Sequence, residues 1–459
     1  MINLEHISVA YFIGIGGVGM SAIARYFLSK GIAIYGYDRT ATSFTAQLES
    51  EGMTIHYHED ASLIPANVDI VVFTPAIPKT NLELQYCVTN NIPIYKRSQV
   101  LEAITSNSPT IAIAGTHGKS TISSMIGHIL YDNNFPATSL IGAVTKNYDN
   151  NFISKGEKYF VVEADEYDRS FLRLHPQFAV VTAMDADHLD IYGTEQAMRE
   201  TYQLFANQVA DNGLLIAHNR TQLISDTATT EKYDRLKEKN ALYTSDDLKL
   251  VEGFYHYNII DNKHLESHAV TLQIGGLHNI ENSLAAYAVC RNLGLSGECI
   301  AQSLGSYQGL ERRFDFLVRK PDLVVIDDYA HHPEEIRATI HSAKHLFPNK
   351  KLTVVFQPHL FSRTHDLCDG FIEALNLADT CLLLEIYPAR ELPIEGVDST
   401  IILNGLHNST GEIYNLSNIH EILNGVSPDL LLLLGAGDIG EKRDHIVSQL
   451  LKFKNIPNL

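Results

Sequence analysis

Ile111-Ala-Ile-Ala-Gly-Thr-His-Gly-Lys-Ser-Thr121 reads as an apolar strand running into a glycine turn that opens a helix. Such a turn aims backbone N–H groups and the positive end of a helix at phosphates. The Lys119 ammonium then reaches the terminal phosphates, and the Ser120 hydroxyl can hold a magnesium ion. This predicts a nucleoside triphosphate site with Gly115, Thr116, His117, Gly118, Lys119, Ser120 and Thr121 as its loop. Only Thr116 and His117 separate Gly115 from Gly118, where the usual P-loop has four residues.

Strands and helices alternate outward from this turn, which predicts an α/β protein. Toward the N-terminus, a strand over 8–13 leads into Gly14-Ile-Gly-Gly-Val-Gly19, a helix over 18–29, and a strand over 33–37 that ends at Asp38. That is the dinucleotide fingerprint, and read alone it predicts NAD. The physics of the loop is broader, because glycines and a helix N-terminus hold any pyrophosphate, a UDP group included. Gly16, Gly17, Val18, Gly19, Met20 and Asp38 are its candidate contacts. The strand over 70–73 ends in Thr74-Pro75-Ala76, at the carboxyl edge where open α/β sheets bind ligands. Polar composition at 105–109 marks a first boundary.

Beyond the triphosphate loop, the strand over 159–162 delivers Glu163-Ala-Asp-Glu166. The strand over 178–182 leads to Asp185-Ala-Asp-His188-Leu-Asp190. Carboxylates and an imidazole beside a phosphate loop suit magnesium-dependent phosphoryl transfer. Glu163 and His188 therefore join Ser120 as candidate metal ligands, against the plainer readings of a solvated strand end and a loop histidine. Asn279 and Asn282 lie three apart on one helix face. They suit the edge of a base, with helix capping by Asn279 as the local alternative.

Past Arg312-Arg313-Phe, a buried strand over 323–326 ends in Asp327-Asp328-Tyr-Ala-His-His332-Pro333, with a helix expected from Pro333. The strand over 351–356 ends in Gln357-Pro-His359-Leu-Phe-Ser-Arg363-Thr. The Leu430–Leu434 strand precedes a third glycine turn, Gly435-Ala-Gly-Asp-Ile-Gly440. The stretch 221–265 is polar and poorly periodic, and is expected to carry variable surface structure.

Composition narrows the function. At 459 residues the prior is about three domains. A net charge of −19 disfavours a sequence-independent nucleic-acid binder, since nothing would neutralise the phosphate backbone. The five scattered cysteines form no CxxC pair and suit a reduced compartment. No export signal and no run of eighteen apolar residues appears, so no membrane role and a cytoplasmic location are expected.

Taken together, Gly14–Ser21, Gly115–Ser120, Glu163–Glu166, Asp187–Asp190, His278-Asn279, Arg312–Phe314 and Asp327–Pro333 resemble the Mur ligase family over essentially the whole chain. The shortened phosphate loop is the form that family uses. The resemblance implies a UDP-binding Rossmann-like domain (1–106), a central P-loop ATPase (107–314) and a Rossmann-like C-terminal domain (315–459) that brings the amino acid. It implies ATP- and Mg2+-dependent joining of an amino acid to UDP-N-acetylmuramate through an acyl phosphate, in peptidoglycan precursor synthesis. Gln357–Thr364 and residues 386–391 favour L-alanine as that amino acid.

Under this resemblance Lys119, Glu163 and His188 serve phosphoryl transfer, while Asn279, Asn282, Arg313 and Asp328 contact ATP. His332 orients the amino acid or assists its amine, and His359, Arg363 or Arg390 meets its carboxylate. The site is complete only when the domains close. Two departures stand out. No lysine occurs over 189–211, where several relatives carry a carbamylated one, and Leu360 stands where members that add alanine often have arginine. Three alternatives remain: a recycling ligase that joins the same sugar nucleotide to a preformed tripeptide, an NAD-dependent oxidoreductase built on the first glycine turn, and a nucleotide sensor without turnover.

Overall fold

The first glycine fingerprint follows the first of five short parallel strands: β1 (Val9–Ile13), β2 (Ala33–Tyr37), β3 (Thr54–His56), β4 (Ile70–Phe73) and β5 (Ile94–Lys96). Their spatial order is β3-β2-β1-β4-β5, so the winding reverses between β1 and β4. The crevice at such a switch point is the ligand position of open α/β sheets. Here it is bordered by the turn after β1 and the Thr74 loop after β4. Helices α1 (Val18–Ser29), α2 (Ser43–Ser50), α3 (Leu82–Thr89) and α4 (Arg97–Thr105) make the connections. The computed structural model describes residues 2–185, 189–236, 240–251, 253–389 and 391–456.

The second sheet is built from β6 (Thr110–Ala114), β7 (Ala137–Thr145), β8 (Asn150–Ser154), β9 (Tyr159–Glu163), β10 (Phe178–Val181), β11 (Leu214–His218), β12 (Thr229–Tyr233), β13 (Tyr243–Val251), β14 (Phe254–Asp261) and β15 (Glu266–Leu272). Their order is β15-β14-β13-β12-β11-β10-β6-β9-β7-β8. The fully buried β6 lies between β9 and β10, parallel to both, and hands the phosphate loop to α5 (Lys119–Asp132). The stretch 221–265, expected as variable surface, instead supplies β12 to β14 in full, and β15 begins at its end. Its tyrosines explain the difference: Tyr233, Tyr243 and Tyr257 are buried, so a composition rich in hydroxyls still forms core.

Within the first compact unit, which runs from the N-terminal residues to Lys249 and adds His256–Leu272 and His278–Gln308, the first two sheets share one core. Phe12 and Phe27 belong to the same cluster as Phe160 and Phe205. Asn151 on β8 donates to the Val18 carbonyl at 2.7 Å and accepts from Arg25 at 2.5 Å, fastening α1 to the second sheet.

The second unit takes Leu250–Tyr255, Gln273–Leu277 and the chain from Gly309 on. Its sheet comprises β16 (Asp315–Lys320), β17 (Leu323–Asp328), β18 (Leu352–Phe356), β19 (Thr380–Leu384), β20 (Ser409–Tyr414) and β21 (Leu430–Leu434). The order is β16-β17-β21-β18-β19-β20, with only β16 antiparallel to its neighbour. Among the described residues no helix is long and apolar enough to cross a membrane.

Candidate active site

The phosphate loop takes its shape from two glycines. Gly115 has φ +126° and Gly118 has φ +82°, backbone that side chains rarely adopt. A Cβ on Gly115 would collide with the Thr182 hydroxyl, and one on Gly118 would stand 2.6 Å from Asn282 Oδ1. Gly118 caps α5 without any side-chain hydrogen bond, so the first amides of that helix face the loop. Lys119 Nζ donates to the Gly115 carbonyl and to both oxygens of Glu166, all at 2.8 Å. Glu166 is buried, so its carboxylate occupies the ammonium as a phosphate would.

The neighbouring loop residues are held through strand ends. Thr116 donates its amide to the Ala183 carbonyl at 3.2 Å and accepts the Asp185 amide on its hydroxyl at 3.3 Å. The His117 carbonyl accepts from Thr182 at 2.5 Å, and its ring lies 3.5 Å from Asp185. Ser123 and Ser124, one turn into α5, donate to the Ser120 and Thr121 carbonyls at 3.1 and 2.9 Å. Ser123 also reaches Glu163 at 3.4 Å, and the Gly142 amide donates to the same oxygen at 2.6 Å. A Cβ on Gly142 would lie 2.7 Å from each Glu163 oxygen, so glycine keeps a cradle open for this carboxylate.

Asn282 donates to Asn279 at 2.8 Å, and both amides are buried beside the loop. Asn279 is the third residue of helix Leu277–Asn292 and not its cap. The set fits triphosphate oxygens and a divalent cation. His188 and Arg390 lie outside the described residues.

At the first turn, the Gly14 and Ile15 amides both donate to the Tyr37 carbonyl, at 2.8 and 3.1 Å. The Gly16 amide donates to Asp38 at 2.8 Å, so the acidic residue of the fingerprint holds the loop itself. Thr74 and Ile77 pack on Gly14, and Thr74 accepts the Ala76 amide at 3.4 Å, while Pro75 and Ala76 are exposed. Gly17 caps α1, Val18 begins it, and Met20 is buried beneath. The space above Gly19 is taken: a Cβ there would stand 2.9 Å from Arg97 Nη1. Arg97 Nη2 in turn donates to Asp165 at 3.2 Å.

In the second unit, β17 ends in two buried aspartates. Asp328 accepts the Phe314 and Ala330 amides at 2.8 Å each. Burial pushes its carboxyl up to about 6, with Arg313 the main opposing influence. Arg313 lies over the Tyr329 ring, 5.6 Å from its centroid. His332 is exposed and caps helix Pro333–Leu346, accepting the Glu334 amide at 3.4 Å.

The ring placed among the other candidates is that of His331. Burial lowers its pKa, Glu335 opposes this, and the Arg363 and Arg313 charges add to the lowering. Its ring centroid is 6.1 Å from that of His359, which stacks on Tyr387 at 5.8 Å. The Leu360 amide donates to the Tyr387 carbonyl at 3.0 Å, and Ser362 bonds Glu391 through its amide at 3.0 Å and its hydroxyl at 2.5 Å. The Gln357–Thr364 and 386–391 motifs therefore meet in space, with Arg363 on helix Phe361–Asp366.

The third glycine turn is closed. Gln357 Nε2 donates to Asp438 at 2.6 Å, and Gln357 Oε1 accepts the Ile439 amide at 3.0 Å. Arg312 Nη2 donates to the Gly435 carbonyl at 2.5 Å, and the Arg312 guanidinium fills the space a Cβ on Gly440 would need.

Family models cover nearly the whole of this frame. The Mur ligase family catalytic domain matches residues 9–108, the Mur ligase middle domain 113–290, and the Mur ligase glutamate ligase domain 312–437. The chain belongs to the Mur ligase family.

Among Mur ligases, it is 42% identical over 454 residues to a UDP-N-acetylmuramate–L-alanine ligase of Flavobacterium psychrophilum, covering 98% of this chain and 99% of that one. A crystal structure of UDP-N-acetylmuramate-alanine ligase from Thermotoga maritima superposes with a TM-score of 0.81 at 26% identity, covering 98% and 99% of the two chains. The fold extends to a murein peptide ligase from Psychrobacter arcticus, with a TM-score of 0.71 at 21% identity over 98% and 100% of the chains.

Three residues escaped the reading of this Mur ligase's sequence. Glu166 stood in a quoted motif, but its pairing with Lys119 spans 47 positions and leaves no local signal. Arg97 meets Asp165 across 68 positions. His331 was distinguishable from His332, because a proline at the first helical position makes the preceding residue the cap.

Proposed function

We propose that this Mur ligase joins L-alanine to the lactyl carboxylate of UDP-N-acetylmuramate with hydrolysis of ATP to ADP and phosphate. The full-length likeness to the Flavobacterium protein of that name carries the reading. Its domains are assigned as 1–106 for the sugar nucleotide, 107–314 for ATP and 315–459 for the amino acid. The reaction is placed in the cytoplasm.

A carboxylate is a poor electrophile, so its oxygen first attacks the γ-phosphorus of ATP. The bond from the β-phosphate oxygen to the γ-phosphorus breaks and ADP leaves. Lys119 exchanges Glu166 for the phosphoryl oxygens whose charge grows in that step. Ser120 and Glu163, with His188 of the same motif, would hold a magnesium ion, which would supply further neutralisation of the phosphoryl oxygens. The neutral amine of alanine then attacks the acyl carbon, loses a proton, and inorganic phosphate departs. Arg363 meets the alanine carboxylate, with His359 and the neutral His331 beside it.

Incubating the protein with ATP, magnesium, UDP-N-acetylmuramate and single amino acids, then weighing the product, tests the reading. The expected result is one alanyl adduct per ADP and phosphate formed. Formation of an adduct only with a preformed tripeptide, or NADH binding without UDP-sugar binding, overturns it.

A further inference from the structure

The first glycine turn has an unbalanced charge. A diphosphate diester brings roughly one negative charge per phosphate. The N-terminus of α1 offers only about half a positive charge. Asp38, 2.8 Å from the Gly16 amide, adds a carboxylate to the same loop. A second anion-binding group is therefore required, and the structure holds a guanidinium at the right place.

Arg97 opens α4 directly after β5, at the carboxyl edge of the first sheet. Its Nη1 lies 2.9 Å, and its Cζ 3.4 Å, from where a Cβ on Gly19 would be. The absent side chain of Gly19 thus makes room for a cation lying on the start of α1. That arrangement opposes the helix dipole, since cations are disfavoured at the positive end. One half-exposed carboxylate, Asp165 at 3.2 Å, balances it. Such a pair contributes little by itself. An anion seated between the guanidinium and the helix amides reverses the sign of the arrangement.

We infer that Arg97 is a binding residue of the sugar-nucleotide site: its guanidinium takes the UDP diphosphate above Gly19, and Asp165 is the positioning residue that holds it there. The adjacent Lys96–Asp168 pair, at 3.4 Å, ties the same strand end to the same segment following β9. The inference rests on the reading of the first turn as the UDP-sugar site.

Calorimetric titration of the full-length protein with UDP, and separately with a non-hydrolysable ATP analogue, tests it. Arg97→Ala should weaken UDP on the order of 10- to 100-fold, as expected for losing charge-assisted bonds, and leave the ATP analogue within about threefold. Arg97→Lys should recover part of the loss, as a point charge without the guanidinium fork. Unchanged UDP affinity in Arg97→Ala overturns the inference. So does a parallel loss of both nucleotides, which would mark Arg97 as a structural link between the sheets. Should the alanine variant fail to fold, Arg97→Lys bears the same test by its UDP-to-ATP-analogue ratio. A wild type that binds the ATP analogue and not UDP would instead refute the underlying reading of the turn.

Discussion

Gly14–Gly19 and Gly435–Gly440 share one spelling, GxGxxG after an apolar strand and before a helix, and yet differ in what occupies them. In the second, Arg312 and Gln357 already bond its carbonyls, amides and Asp438, and the missing side chains accommodate the protein's own groups. In the first, Asp38 holds one amide and the Arg97 guanidinium lies over Gly19, while Gly17 stays exposed. Glycine spacing thus reports where backbone must pass close to something. Whether that something is a ligand or a side chain is decided by residues far away in sequence.

The largest effect is expected at the central turn, which belongs with the first. Lys119→Ala should cut alanine-dependent phosphate release on the order of 100-fold or more, with UDP-N-acetylmuramate binding nearly intact. The same change strands the buried Glu166 and should lower the melting temperature. Lys119→Ala with Glu166→Gln should regain stability and not activity; near-normal turnover in either would remove the site. At the first turn, Gly19→Val displaces Arg97 and should weaken UDP-sugar binding roughly 10- to 100-fold, read by titration. Gly440→Ala in the third turn crowds Arg312 and should cost about 1–3 kcal/mol of stability. Its affinities for UDP and an ATP analogue should not change. A ligand-specific loss there would break the contrast between the two turns.

The cation proposed for the alanine carboxylate, Arg363, lies on helix Phe361–Asp366 and not on the third glycine turn. Arg363→Lys should therefore raise the Michaelis constant for L-alanine, on the order of tenfold, while that for ATP moves little. The smallest effect concerns pH. Burial, reinforced by Arg363 and Arg313, lowers the His331 pKa, so the unfolded chain binds a proton that the folded chain refuses. Stability should then fall as pH drops through the ordinary histidine range, about 6.5. His331→Gln should flatten that part of the profile of melting temperature against pH.

Much of this was legible in the sequence because it is local. The helix over 18–29, the strand over 33–37 and the strand ending at Ala114 follow from periodicity and glycine placement, and the structure reproduces them. The family's motifs carried the fold class and the order of its parts. What escaped was of two kinds. In the β12–β15 region, tyrosines counted as polar supply buried faces: β14 buries alternate residues from Tyr255 to Asp261, a period-two signal obscured because three of those buried positions are Tyr255, Tyr257 and Asp261. The partners of Lys119 and Gly19 are the second kind. Glu166 and Arg97 reach them through sheet topology, and no spacing rule connects residues 47 or more positions apart.

The Lys119–Glu166 pair also bears on inhibitor chemistry. Any compound entering the phosphate loop competes with a carboxylate tethered to the protein, present at a fixed local concentration that dilution cannot reduce. A neutral nucleoside mimic leaves that internal competitor seated and gains nothing from the ammonium. A charged mimic must first break a buried ion pair, so its measured affinity understates the contact it finally makes. Compounds that reach the Asn279–Asn282 amides and leave Lys119 to its own carboxylate avoid the exchange altogether.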